Sequence, residues 1–142
     1  MASKLAILWP VFALAAWTAG MLVLIAIKRV SAGLRGSVHP REHALGESAK
    51  VPIAVSLPNR NYMNLLELPV LFYIACILAY VTNAPIAVLV PFAWLYVGLR
   101  VIHSAIHVTY NNVMHRFAAF AASNGVLIVI WALLWRALQS AA

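Results

Sequence analysis

Ionisable side chains are scarce in this chain, and those that interrupt its long apolar runs fall into two regularly spaced sets. Arg60, Asn64 and Glu67 follow one another at i, i+4 and i+7, which places all three on one face of a helix. Tyr96, Arg100, His103, His107 and Tyr110 advance by 4, 3, 4 and 3 residues and form a second polar stripe. His115 and Arg116 stand a few residues further on, where another apolar run begins. An ionisable group at mid-bilayer costs about 2.5–3.5 kcal/mol on insertion scales, so one found inside an apolar run calls for a role. Glu67 is the clearest case, the only acidic residue in any of the four such runs.

Several fixed arginines combined with one carboxylate, an amide and imidazoles suit a partner that carries both signs of charge. Arginine grips carboxylates bidentately, and a carboxylate receives an ammonium group. A tripeptide thiol such as glutathione has two carboxylates, one ammonium and a sulfur. A free thiol has a pKa near 8.5, and a neighbouring cation lowers it. One arginine in a low dielectric could lower it by about one to two units, each equivalent to about 1.36 kcal/mol. Plain structural roles compete with this chemistry. Arg60 could snorkel to headgroups, Asn64 could bond across helices, Glu67 and Arg100 could form a buried ion pair, and His103 and His107 could simply pack. The single cysteine, Cys76, lies in an apolar run and reads as a small buried side chain rather than a catalytic thiol.

The elements that must position these residues are legible in composition. Of 142 residues, 65% are hydrophobic and 9% charged, with a mean hydropathy of +0.92. A soluble domain carries about a quarter charged residues, so the bilayer is the fitting solvent. Four segments reach the ~20 residues a spanning helix needs: Leu5–Ile27, Tyr62–Val81, Ile86–Val108 and Phe117–Leu138. None alternates as a barrel strand does, so the fold class is an all-α integral membrane protein, a four-helix antiparallel bundle in one domain over 1–142. The first run is too long for a signal-peptide core and reads as a retained span. Pro10, Pro69 and Pro91 should bend their runs. The formal charge of +7 is concentrated in segment 28–60, with Lys28, Arg29, Arg35, Arg41, Lys50 and Arg60. The positive-inside rule makes that loop cytoplasmic and puts both termini on the opposite side. The basic excess thus serves topology, and no nucleic-acid partner is expected. The other partners are membrane lipids, met by the spans.

At these residues the sequence resembles the MAPEG family, the membrane-associated proteins of eicosanoid and glutathione metabolism. Arg60-Asn-Tyr-Met-Asn64-Leu-Leu-Glu67 is similar to the family's R-x-x-x-N-x-x-E run. Arg100-Val-Ile-His103-Ser-Ala-Ile-His107 carries the second motif, and Arg116 follows at a spacing similar to that of the family's prostaglandin E synthase. The resemblance covers essentially the whole chain. It implies a homotrimer that binds glutathione as cofactor in clefts between subunits, open toward the cytoplasm. By that match Arg60, Asn64 and Glu67 hold the tripeptide backbone, Arg100, His103 and His107 line the cleft, and Arg116 faces the thiolate as the catalytic arginine. A basic residue late in the first helix contributes too, with Arg29 the candidate ahead of Lys28. The implied activity is a glutathione transferase or peroxidase acting on a lipophilic small molecule that enters from the bilayer. Two positions depart from the pattern. Leu68 stands where the family commonly has tyrosine, and His107 where the related enzyme has one. Conjugation, peroxide reduction and isomerisation all use the same activated thiolate, so the reaction class stays open.

Two other functions fit parts of the pattern. A lone membrane glutamate in a four-span protein suits a small proton-coupled exporter of amphipathic cations using Glu67, although arginines in the same cavity would repel its cargo. His103 and His107 at i, i+4 could chelate one metal ion or a haem iron, but no cysteine or carboxylate cluster joins them, so no metal is expected.

Overall fold

The computed structural model describes residues 4–44 and 46–141. Among the described residues, five α-helices and two short 3-10 turns, Lys4–Ile7 and Pro40–His43, make up the regular structure. The helices are α1 (Leu8–Leu34), α2 (Ile53–Leu66), α3 (Pro69–Val81), α4 (Ile86–Val108) and α5 (Val113–Ala141). Four continuous or near-continuous stretches among them are long and apolar enough to cross a membrane: Lys4–Leu34, Ile53–Val81, Ile86–Val108 and Val113–Ser140. The protein is an all-helical, four-span integral membrane protein, with no strand among the described residues. Large apolar side chains such as Phe12, Leu34, Met114 and Ile128 point outward, as a lipid solvent allows.

The helices overrun the apolar segments that announce them. Helix α1 continues through Lys28 and Arg29 to Leu34, and α2 begins at Ile53 rather than at Tyr62. Hydropathy falls where charge begins, but the backbone hydrogen-bond ladder has no reason to stop there, since charged side chains extend to the interface. The connection expected over 28–60 is therefore reduced to 35–52, and Arg60 lies inside a helix rather than beyond its end. Carboxylates tie the connection down: Glu47 pairs with Arg29 at 3.1 Å, and Glu42 accepts a hydrogen bond from Ser48 and lies 3.9 Å from Lys50. Ala32, Val38, Val51 and Val55 form a small apolar cluster beneath it.

Proline has two different effects. Pro10, near the start of α1, and Pro91, inside α4, leave their helices continuous. Pro69 does more than bend the second span. A proline has no N–H to give and its ring collides with the carbonyl four residues back. Here the chain leaves helical geometry at Glu67, with φ −87° and ψ −102°, and restarts with Pro69 in the first turn of α3. Val70 N–H then donates to Glu67 O at 3.1 Å, and Leu71 N–H to Leu68 O at 3.0 Å. The second span is thus two helices joined at a break.

Helix α4 is the centre of the bundle, packing against α1, α2, α3 and most extensively α5. The main core gathers Leu14, Leu65, Phe72, Cys76, Leu89 and Leu134, all essentially inaccessible. Phe72 of α3 stacks on Tyr96 of α4 with ring centroids 4.5 Å apart. That contact fixes α4 against the second span one turn away from Arg100.

Candidate functional site

The break in the second span and the centrality of α4 together create a polar site. The carbonyls in the last turn of a helix have no intrahelical donor, and Asn64 sits in that turn of α2. Its carbonyl accepts from Arg100 Nη2 at 2.9 Å, and its side-chain Oδ1 accepts from the same nitrogen at 2.6 Å. A guanidinium on α4 thus supplies what the interrupted helix lacks, and in doing so it fixes the Asn64 amide. The Asn64 Nδ2 group is thereby turned toward Glu67, donating to Oε2 at 3.4 Å. Arg100 is 0% exposed. No ion pair joins it to Glu67: among the described residues the salt bridges are Arg29–Glu47 and Lys50–Glu42. The alternative of a Glu67–Arg100 ion pair gives way to a relay in which Asn64 stands between the two.

In front of this relay lies a cavity of about 360 Å³. Its polar wall consists of Arg60, Asn64 and Glu67 from α2, His103 and His107 from α4, and Arg116 from α5. Met63, Val113, Phe117 and Phe120 supply an apolar wall. Six of the eight residues singled out from the sequence therefore share one cleft, and Arg100 supports it from behind. Arg29 does not join them within one chain. It lines a separate depression with Val30, Gly33, Leu34, Val38 and His43, held there by Glu47.

The two histidines are packed edge to face, ring centroids 5.8 Å apart, and His103 also lies 5.8 Å from the Phe120 ring. His103 Nδ1 is 3.0 Å from the backbone carbonyl of Arg116, which ties α4 to the first turn of α5. His107 has neither ring nitrogen hydrogen-bonded within the described residues, and both are buried. Buried polar atoms are normally satisfied, so the ring has hydrogen-bonding capacity left for a guest in the cleft.

The turn between α4 and α5 falls where two apolar runs leave a short gap, and what sequence reasoning missed is the contact that Asn111 makes from it to Arg116. Helix α4 ends at Val108, and Asn111 takes a left-handed conformation with φ +48°. Asparagine tolerates that region better than other residues with a Cβ. Asn111 N–H closes back on Ile106 O at 2.8 Å. Its side-chain oxygen accepts from Arg116 Nη1 at 2.7 Å. Asn112 caps α5 through Oδ1, which accepts from Met114 N at 3.0 Å and His115 N at 3.1 Å. Two adjacent asparagines between two apolar helices mark the turn, but no signal in the sequence marks the contact. Tyr110, the last member of the sequence stripe, faces out and meets His115, its hydroxyl 3.2 Å from Nδ1.

The arrangement suits an anionic or zwitterionic guest. Arg60 and Arg116 are free of carboxylate partners among the described residues, while Glu67 offers a place for an ammonium group. A family model, described as the MAPEG family, matches residues 7–136, nearly the whole chain, and the chain belongs to that family. No match was found to a curated protein or to a solved structure.

Proposed function

We propose that this MAPEG protein is a glutathione-dependent membrane enzyme and that the cleft between α2, α4 and the start of α5 binds the tripeptide. The observation that carries the reading is the pairing of two uncompensated arginines, Arg60 and Arg116, with one carboxylate, Glu67, around a single cavity. Its volume of about 360 Å³ is in the range of small-molecule sites. Glu67 would receive the ammonium group, and Asn64 and Arg60 the backbone and carboxylates. His103 and His107 would line the thiol end. Arg116 would stabilise the thiolate, making the sulfur a nucleophile at neutral pH without a general base.

The apolar wall of Met63, Val113, Phe117 and Phe120 suits a lipophilic substrate arriving from the bilayer. In a conjugation, the sulfur lone pair forms a bond to an electrophilic carbon and the leaving group departs with its electron pair. Reduction of a hydroperoxide would begin with the same thiolate. A homotrimer completes the proposal. The basic end of α1, Arg29 with Lys28 beside it, lies away from its own chain's cleft and would contribute to that of a neighbour. The basic connection 35–52 and the turn at 109–112 lie at one end of an antiparallel bundle, and positive-inside bias assigns that end to the cytoplasm.

The test is direct. Protein purified in detergent should bind glutathione in calorimetric titration and conjugate it to 1-chloro-2,4-dinitrobenzene. Arg116→Ala should remove at least nine-tenths of the conjugation, since one arginine lowering a thiol pKa by about one unit changes the thiolate fraction about tenfold. Absence of both binding and turnover, with hydroperoxides tried as well, would sink the reading.

A further inference from the structure

We propose that Asn111 is a positioning residue, which holds the Arg116 guanidinium in the cleft through an acceptor that carries no charge. The inference rests on the glutathione reading for its catalytic consequence, but its geometric content stands without it.

Arg116 is half-buried in the first turn of α5, where a long flexible side chain has many rotamers to choose from. Holding it costs conformational entropy, so a fixed partner is needed if its charge is to sit at one point. The described residues offer its side chain one hydrogen-bond partner, Asn111 Oδ1, at 2.7 Å. The Arg116 backbone is held independently, its carbonyl by His103 Nδ1 at 3.0 Å and its N–H by Asn112 O at 3.0 Å. Asn111 itself has little freedom, because its left-handed φ of +48° and its N–H bond to Ile106 O lock the turn. The result is a rigid amide oxygen aimed at a flexible cation.

The chemical identity of that acceptor matters. A carboxylate would hold the guanidinium more tightly but cancel its charge, and a cation already neutralised does little for a thiolate. An amide oxygen orients without neutralising. The other charged or titratable groups facing this cavity are Arg60 and Glu67 from α2 and His103 and His107 from α4, with Arg100 behind Asn64. None of them supplies a second acceptor to the Arg116 side chain among the described residues.

Two substitutions separate orientation from charge. N111G keeps the backbone conformation, since glycine adopts positive φ freely, and removes only the acceptor. N111D keeps an acceptor and adds a charge. With glutathione and 1-chloro-2,4-dinitrobenzene, N111G should lower kcat at neutral pH about tenfold, because a mobile guanidinium stabilises the thiolate less and the alkaline rise of the profile moves up accordingly. N111D should move the alkaline rise of the profile up by about one pH unit and regain activity at high pH. A wild-type kcat in N111G, or a wild-type profile in N111D, overturns the proposal. A readout independent of catalysis is the ¹⁵N resonance of the Arg116 guanidinium, assigned by its loss in R116K. Slowed guanidinium rotation in the wild type and fast rotation in N111G support the contact whether or not glutathione binds. Fast rotation in the wild type overturns it. A protein that shows the slowed rotation but neither binds nor turns over glutathione would keep the positioning contact and lose the proposed function.

Discussion

Replacing Arg100 with methionine should cost this protein its ligand and leave its fold nearly unchanged. Methionine fills a similar volume, is tolerated in irregular packing and carries no charge. Two hydrogen bonds disappear, from Nη2 to Asn64 O at 2.9 Å and to Asn64 Oδ1 at 2.6 Å. Leaving two part-buried acceptors unpaired costs at most about 1–3 kcal/mol each. Against that, the substitution removes a fully buried guanidinium that has no carboxylate within salt-bridge distance and whose Nε and Nη1 have no hydrogen-bond partner among the described residues. Two orphan donors weigh about the same as two orphan acceptors, and burying an uncompensated charge adds several kcal/mol more. The orphaned donors and acceptors roughly cancel, and removing the buried charge leaves the substitution neutral to stabilising, so the melting temperature should hold or rise. The site fares differently. Without Nη2 the Asn64 side chain is free to rotate, and the relay to Glu67 loses its orientation. Glutathione affinity should fall about tenfold to a hundredfold, the equivalent of one or two charge-assisted hydrogen bonds. Calorimetric titration and thermal unfolding in the same detergent give both numbers. A melting temperature lowered by more than about 15 °C would make Arg100 a structural strut, and an unchanged affinity would remove the relay from the binding site; either result refutes the reasoning.

Two further substitutions probe neighbouring parts of the cleft. Pro69→Ala restores a backbone N–H and removes the ring clash that ends α2, so the second span should become more continuous and Glu67 should leave the cleft. Stability should hold or rise by up to about 3 kcal/mol while glutathione affinity drops about tenfold, and titration showing wild-type affinity would mean the break is dispensable for binding. His107→Phe keeps the edge-to-face contact with His103 and deletes two ring nitrogens that have no partner within the described residues. Stability should be retained to within about 1 kcal/mol while KM for glutathione rises about fivefold to tenfold, and steady-state kinetics with an unaltered KM would reduce His107 to packing.

Much of this architecture is legible in the sequence because lipid imposes so few solutions. Four long apolar runs can only be four spanning helices, and they are. Polar residues spaced at 3 and 4 within those runs share a face, so the gathering of Arg60, Asn64, Glu67, His103 and His107 round one cavity follows from helical periodicity. Helix ends are harder to read, because hydropathy reports the hydrocarbon boundary and the backbone ladder ignores it. That is why α1 reaches Leu34 and α2 starts at Ile53. The effect of each proline also depends on tertiary context. Pro91 is absorbed in a continuous helix, whereas at Pro69 the chain breaks and a guanidinium from another helix takes up the freed carbonyl. Asn111 was invisible for another reason: its value lies in a backbone angle and a single side-chain contact, neither of which has a period.

The bond between Arg100 and Asn64 also has a bearing on how the chain is made. The two residues are 36 positions apart, so the second span is synthesised with its interrupted end open and waiting. At about 5–20 residues per second, the ribosome needs roughly 2–7 seconds to deliver the guanidinium that closes it. During that interval a helix carrying Arg60, Glu67 and an exposed carbonyl would be a poor tenant of hydrocarbon. The second and third spans would therefore enter the bilayer best as a pair, with the short turn at 82–85 bringing Arg100 to Asn64 before lipid surrounds either one.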